Sequence, residues 1–383
     1  MPSLNDTKTP SEKNMFDDIR PFNNDEVAQV TESLINEEEL QSSIANFVFP
    51  RSYSLFPSIT RKAIKLYLKY QQKHLVSIDN IQLEVSKYLS RLVKKSTDGF
   101  TFSGIEHLPK NKPCLFISNH RDIVLDVALV NLALHKSGLE TVEAAVGDNL
   151  LSKKWVADLM RINKSFIVKR SEENKRAMLK ASKELSAYIH YALTEKRQNI
   201  WIAQREGRAK DGLDITNPAL ISMLLLNKEK AVTIEEYLQT LNIVPVSISY
   251  EFDPCDRDKA IELSTIDETG SYEKGEHEDL NSITQGMVGD KGKVHLTFCK
   301  PITGEFESSK EIAEAIDEQV INNYKLYESN LSAYSALYED GETKTVNTRL
   351  ESRMTELTEN QKQWVLKMYA NPVKAQKSYI ANN

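Results

Sequence analysis

The chain has 383 residues, of which 40% are hydrophobic and 27% charged, with a formal net charge of −6. This is the composition of a soluble globular protein with a sizeable core, and the near-balanced charge argues against nucleic acid or another polyanion as partner. Three cysteines, Cys114, Cys255 and Cys299, exclude a disulfide framework and lack metal-ligand spacing.

Residues 1–24 read as an acidic, largely disordered N-terminus, with the polar stretch "MPSLNDTKTPSEKN" lacking a signal-peptide core. Residues 1–40 carry ten acidic against three basic side chains. Residues 25–97 read as a helical region. "RKAIKLYLKYQQKHL" sets Ile64, Leu66, Leu68 and Leu75 among lysines, and "IDNIQLEVSKYLSRLVKK" has Ile81, Val85, Tyr88, Leu89 and Leu92 at helical spacing. Residues 61–97 carry nine basic against two acidic side chains. Such a stretch suits an anionic membrane surface or an acidic carrier; the plain alternative is a solvated face packed against the chain's own acids.

Residues 98–302 alternate short apolar runs with amphipathic segments. The runs are "PCLFIS", "VEAAV", "SFIVK", "NIWIAQ", "IVPVSIS" and "KVHLTFC". That alternation predicts an α/β domain, a mixed sheet flanked by helices, with N- and C-terminal helical additions. Pro245 removes a ladder donor and predicts an edge or irregular position for its strand. Residues 252–291, polar and glycine-containing, predict a long loop or insertion, and residues 303–383 return to helix. The longest apolar run, "ALISMLLL" at 219–226, is far too short to span a membrane. A cytoplasmic protein is expected, with any membrane contact peripheral and on the inner face.

Several motifs fail. "GMVGDKGK" has the wrong glycine spacing for a phosphate-binding P-loop, and there is no G-x-G-x-x-G after a strand, no G-x-S-x-G and no C-x-x-C. "LFISNHRDIVLD" at 115–126 is different. It ends an apolar strand on Asn119 and His120 and supplies two aspartates, Asp122 and Asp126, as a helix begins. Carboxyl ends of strands are where open α/β sheets place ligands. A neutral imidazole there can take a proton from an alcohol that attacks an acyl carbonyl, with a carboxylate fixing its tautomer. The competing reading is a capping site, with Asn119 as N-cap and Asp122 in the first turn.

Further strand ends carry cations suited to phosphate. "SFIVKRS" delivers Lys169 and Arg170, and "IWIAQREGRAKDG" delivers Arg205, Glu206, Gly207, Arg208 and Lys210. Guanidinium forks match phosphate oxygens, and a glycine lets backbone approach closely. "IVPVSISYE" follows as the fourth such segment.

In this order, over roughly residues 100–250, the four segments resemble the four motif blocks of the glycerolipid acyltransferases, which include glycerol-3-phosphate and 1-acylglycerol-3-phosphate acyltransferases. The resemblance implies His120 and Asp126 as the catalytic pair, with Asp122 the other choice. It implies substrate binding by Lys169, Arg170, Glu206, Gly207 and Arg208, no metal and no cofactor. The reaction implied is acyl transfer from an acyl-carrier-protein or coenzyme A thioester to a hydroxyl of a glycerol phosphate in phospholipid synthesis. Another lipid alcohol as acceptor, or a non-catalytic lipid- or carrier-binding protein of the same fold, are the alternatives. Two departures stand out. Five residues, not the usual four, separate His120 from Asp126, and an extra residue in an unbroken helix turns a side chain by about 100°. The pair can form only if the residues after His120 lie outside the regular helix. In the third segment Arg208 follows Gly207 directly, where the family has one residue between them, so Glu206 is the less secure of that segment's residues.

Overall fold

The computed structural model describes residues 15–151, 153–172, 174–275, 278–339 and 346–382; the expectation for residues 1–14 lies outside them. By its internal contacts the chain divides into two units, one formed by residues 1–87 with 143–188, the other by 88–142 with 189–383.

The larger unit holds strands β1 (Gly99–Ser103) and β2 (Leu115–Ser118). Strands β3 (Val142–Gly147) and β4 (Ser165–Val168) pair in parallel and belong almost wholly to the smaller unit. Strands β5 (Asn199–Ala203), β6 (Ile243–Tyr250) and β7 (Lys293–Phe298) return to the larger one. Its order is β1-β7-β6-β2-β5, with β6 and β7 antiparallel and the other neighbours parallel. This is the expected mixed sheet flanked by helices. Every residue of β2 and β6 is buried. Strands covered on both faces read as unbroken apolar runs, which is why both stand out in the sequence.

Two expectations are corrected. Pro245 lies in a central strand, not at an edge. Its carbonyl accepts the Cys299 N–H at 2.9 Å, so its missing donor faces β7, and the β7 ladder begins only at Val246. The proline costs no ladder bond there. Residues 252–291 are not a long loop, since helices span Asp256–Thr269 and Glu278–Val288. The first of these ends on Gly270 at φ +84, a left-handed cap. Its buried residues are Asp256, Lys259, Ala260, Glu262 and Ser264, so no apolar period betrays it.

Around Phe252 a second core of the larger unit joins Ala333, Leu350, Val365, Tyr369 and Ala370 from the C-terminal helices. In the smaller unit, Val27, Val30, Leu34, Leu40, Ile81 and Ile162 form a separate cluster. Among the described residues no helix is long and apolar enough to cross a membrane.

Candidate functional site

Strands β2, β5 and β6 run parallel, so their carboxyl ends, Ser118, Ala203 and Tyr250, open on one side of the sheet. The chain leaves β2 without entering a helix. Residues 119–124 are irregular, and the helix begins at Leu125. That irregular stretch absorbs the extra residue between His120 and Asp126. His120 Nδ1 lies 2.9 Å from Asp126 Oδ2. The His120 side chain keeps 15% of its surface and the Asp126 side chain 1%.

Asp126 is saturated with donors. Oδ2 also accepts the backbone N–H of Arg121 at 2.6 Å and of Asp122 at 2.9 Å, and Oδ1 accepts the Tyr250 hydroxyl at 2.8 Å. With these partners the buried carboxylate is held in one orientation and fixes the imidazole that faces it. Burial, with Asp126 and Asp122 beside it, pushes the Tyr250 phenol well above its usual range, so it remains a donor. Across the imidazole, Trp201 stands edge-on with ring centroids 5.9 Å apart, and its indole N–H is held by Ser118 Oγ at 3.0 Å.

Asp122 does other work. Its Oδ1 accepts the N–H groups of Val124 and Leu125 at 2.9 and 2.7 Å, capping the helix. Burial and the neighbouring Asp126 push its carboxyl upward. Asn119 is no cap. It bridges to β6, accepting the Ile248 N–H at 2.8 Å and donating to the Ile248 carbonyl at 2.9 Å and to Asp214 at 3.1 Å.

Behind the histidine lies a buried charged network. Arg121 donates to Asp214 at 2.6 Å and to the Gly212 carbonyl at 3.2 Å. Lys259 donates to the Arg121 carbonyl at 2.7 Å and to Asp253 at 2.5 Å. Burial alone would lift the Asp253 carboxyl, but Lys259 beside it holds it below its ordinary value. Arg353 closes on Asp256 at 2.5 Å, and Tyr369 donates to the same carboxylate at 2.8 Å.

The third motif segment is tied to the first, since the Ala209 N–H donates to the His120 carbonyl at 2.7 Å. Arg208 is half-buried next to that anchor and interacts with Asp258. Gly207 is exposed at φ +74, a turn that favours glycine, and Glu206 is exposed. Lys210 pairs with Glu262. Lys169 and Arg170 belong to the smaller unit. There Lys169 Nζ donates to Glu184 at 3.1 Å, the Arg170 N–H donates to Asp148 at 3.1 Å, and the Arg170 guanidinium lies against Gly147.

Sequence reasoning paired His120 with Asp126 but missed Tyr250, Arg121, Asp214, Trp201 and Lys259. Tyr250 closes the fourth segment and Arg121 sits inside the first, so position at a strand end was the available signal. Asp214 and Lys259 carried none.

Residues 99–249 match the family model described as Acyltransferase. Among solved structures the chain is similar to the 1-acyl-sn-glycerophosphate (LPA) acyltransferase PlsC from Thermotoga maritima. The identity is 14% over 78% of this chain and 92% of that one, with a TM-score of 0.38. It is also similar to the signal recognition particle receptor FtsY from Elizabethkingia anophelis, at 10% identity over 82% of this chain and 98% of that one, with a TM-score of 0.22. No curated protein matches. The matched segment, under half of the chain, runs from β1 to Ser249 in β6 and takes in the first three motif segments and most of the fourth, which supports the resemblance to the glycerolipid acyltransferases.

Proposed function

We propose that the protein transfers a fatty acyl group from a thioester of coenzyme A or acyl-carrier protein to a hydroxyl of glycerol 3-phosphate or 1-acylglycerol 3-phosphate. The observation that carries this reading is the His120–Asp126 pair at 2.9 Å on the carboxyl side of the parallel strands. With Nδ1–H donated to Asp126, the Nε2 lone pair is left to accept the hydroxyl proton. The hydroxyl oxygen then bonds to the thioester carbonyl carbon. When the tetrahedral intermediate collapses, the C–S bond breaks and the departing thiolate recovers the proton from Nε2. Asp126 holds the imidazole in place and stabilises the imidazolium that forms. Arg208, on a loop anchored to the His120 carbonyl, supplies positive charge for the acceptor phosphate, with Gly207 shaping the turn. Lys169, Arg170 and Glu206 enter as substrate-binding residues on the motif resemblance alone.

The test offers purified protein each acceptor with each donor and identifies the lipid product by mass. An acyl ester formed on one glycerol phosphate, dependent on that acceptor, is the expected result. Thioester cleavage at an equal rate without acceptor, or no turnover with any of the four pairs, would refute the assignment.

A further inference from the structure

Between Leu40 and Ile78 the sequence contains no acidic residue and six basic ones, Arg51, Arg61, Lys62, Lys65, Lys69 and Lys73. Within the smaller unit this segment builds three helices that pack on one another, Glu38–Val48, Pro50–Leu55 and Pro57–Gln72. Two Phe-Pro pairs break the chain between them. A residue before proline is pushed out of the helical region, and proline then starts the next helix. Phe49 and Phe56 accordingly sit at φ −131 and −138, outside any helix. Both face solvent.

The exposure is continuous through these turns. Phe47, Val48, Phe49, Leu55, Phe56 and Ile59 are exposed, the last three by 71%, 59% and 67%. The last helix extends this patch. Ile59, Ala63, Leu66 and Tyr70, spaced i, i+4, i+7 and i+11, form one exposed stripe, while Thr60 and Ile64 are buried on the inner side. At 100° per residue, Lys62, Lys69 and Lys73 flank that stripe along one edge. Arg61 is engaged with Glu38 at 2.6 Å, and Lys69 stands 3.9 Å from Glu32. Arg51, Lys62 and Lys73 face solvent. The face is thus held rigid from within: Thr60 Oγ1 donates to the carbonyls of Ser52 and Phe56 at 3.1 and 2.9 Å, locking the short helix to the long one.

Scattered exposed apolar residues are ordinary, whereas a contiguous patch rimmed by charge of one sign marks an interaction surface. We infer that this face docks the protein on an anionic phospholipid bilayer, with Phe49, Leu55, Phe56, Ile59 and Leu66 entering the headgroup–acyl boundary. Arg51, Lys62 and Lys73 meet lipid phosphates there. An acidic protein partner would match the cations but gains nothing from bulky apolar tips on two successive turns. A lipid surface uses both. This inference stands independently of the acyl-transfer assignment.

Co-flotation with phosphatidylcholine vesicles, with and without phosphatidylglycerol, tests it. Wild-type protein is expected to float with the mixed vesicles and far less with the neutral ones. The Leu55→Ser/Phe56→Ser variant should weaken partitioning by about tenfold per residue. The Arg51→Gln/Lys62→Gln/Lys73→Gln variant should weaken it by about fivefold per charge, in the mixed vesicles only. All five side chains are exposed, so circular dichroism and unfolding midpoints should match wild type. Equal flotation with both vesicle types, or variants that float like wild type, would overturn the inference. So would lipid-free self-association or acyl-carrier-protein binding that the variants abolish while flotation is absent.

Discussion

Two aspartates follow His120, and their hydrogen bonds divide the labour between them. Asp126 gathers four donors, one of them the imidazole, whereas Asp122 spends its Oδ1 on the N–H groups that open the helix. Replacing Asp126 with Ala should cost about 10³–10⁴-fold in turnover, the scale seen when a base loses its orienting carboxylate. Replacing Asp122 with Ala should act on stability instead, by about 1–2 kcal/mol of lost capping. Paired turnover and denaturant-unfolding measurements on both variants decide this, and an Asp122 variant with the larger loss of turnover at unchanged stability would reverse the roles. A second residue sets a pH dependence. Burial lifts the Asp317 carboxyl from 3.8 to about 6. The folded state therefore holds this proton more tightly than the unfolded chain, and stability falls as pH rises from about 4 to about 6, by roughly 3 kcal/mol. Asp317→Asn keeps an acceptor for the Thr216 N–H but cannot ionise. Its stability relative to wild type should be higher at pH 7 than at pH 4, as unfolding in urea at the two pH values would reveal; an equal difference at both would rule out this penalty.

At the scale of elements, six of the seven strands coincide with apolar runs; β2 and β6, buried throughout, offer no polar face to break the pattern, and β7 keeps one wholly buried face. The missed one, β1, alternates exposed and half-buried residues and pairs only with β7, so its two phenylalanines form no core run. The helix Asp256–Thr269 was illegible for the opposite reason. It buries charge: Asp256 meets Arg353 and the Tyr369 hydroxyl about a hundred residues downstream, while Lys259 and Glu262 pair with Asp253 and Lys210. The pair His120–Asp126 was readable since both lie in one segment, whereas Tyr250 reaches Asp126 across 124 positions of chain. One loop–helix contact carries its own prediction. Pro372 lies inside the helix Glu359–Asn382 and offers no N–H to the Met368 carbonyl. The loop approaches at that point: Gly212 has φ +80, and a Cβ there would fall 2.0 Å from the Met368 oxygen. Its own carbonyl accepts from Arg121. Gly212→Ala should therefore lower stability by more than about 2 kcal/mol through strain and collision together. An unchanged thermal midpoint would contradict this packing.

On the scale of the whole molecule, a net charge of −6 conceals a segment of 39 residues without a single acid, and the apolar turns of that segment were not legible as a surface. Periodicity shows that Ile64 and Leu66 belong to a helix, but only packing shows that Ile64 is buried and Leu66 is not. The linear order of regions was no guide to the two units either, because residues 143–188 associate with the N-terminal helices. Chemistry and docking are thus assigned to different parts of the chain and are separately testable. The proposed acyl transfer depends on His120 as the base. Turnover of the acyl thioester with its glycerol phosphate acceptor, wild type against His120→Ala, tests it most directly. A fall of about 10²–10⁴-fold with an unchanged unfolding transition is the predicted result. Activity retained above a few per cent of wild type, from a folded variant, would contradict it.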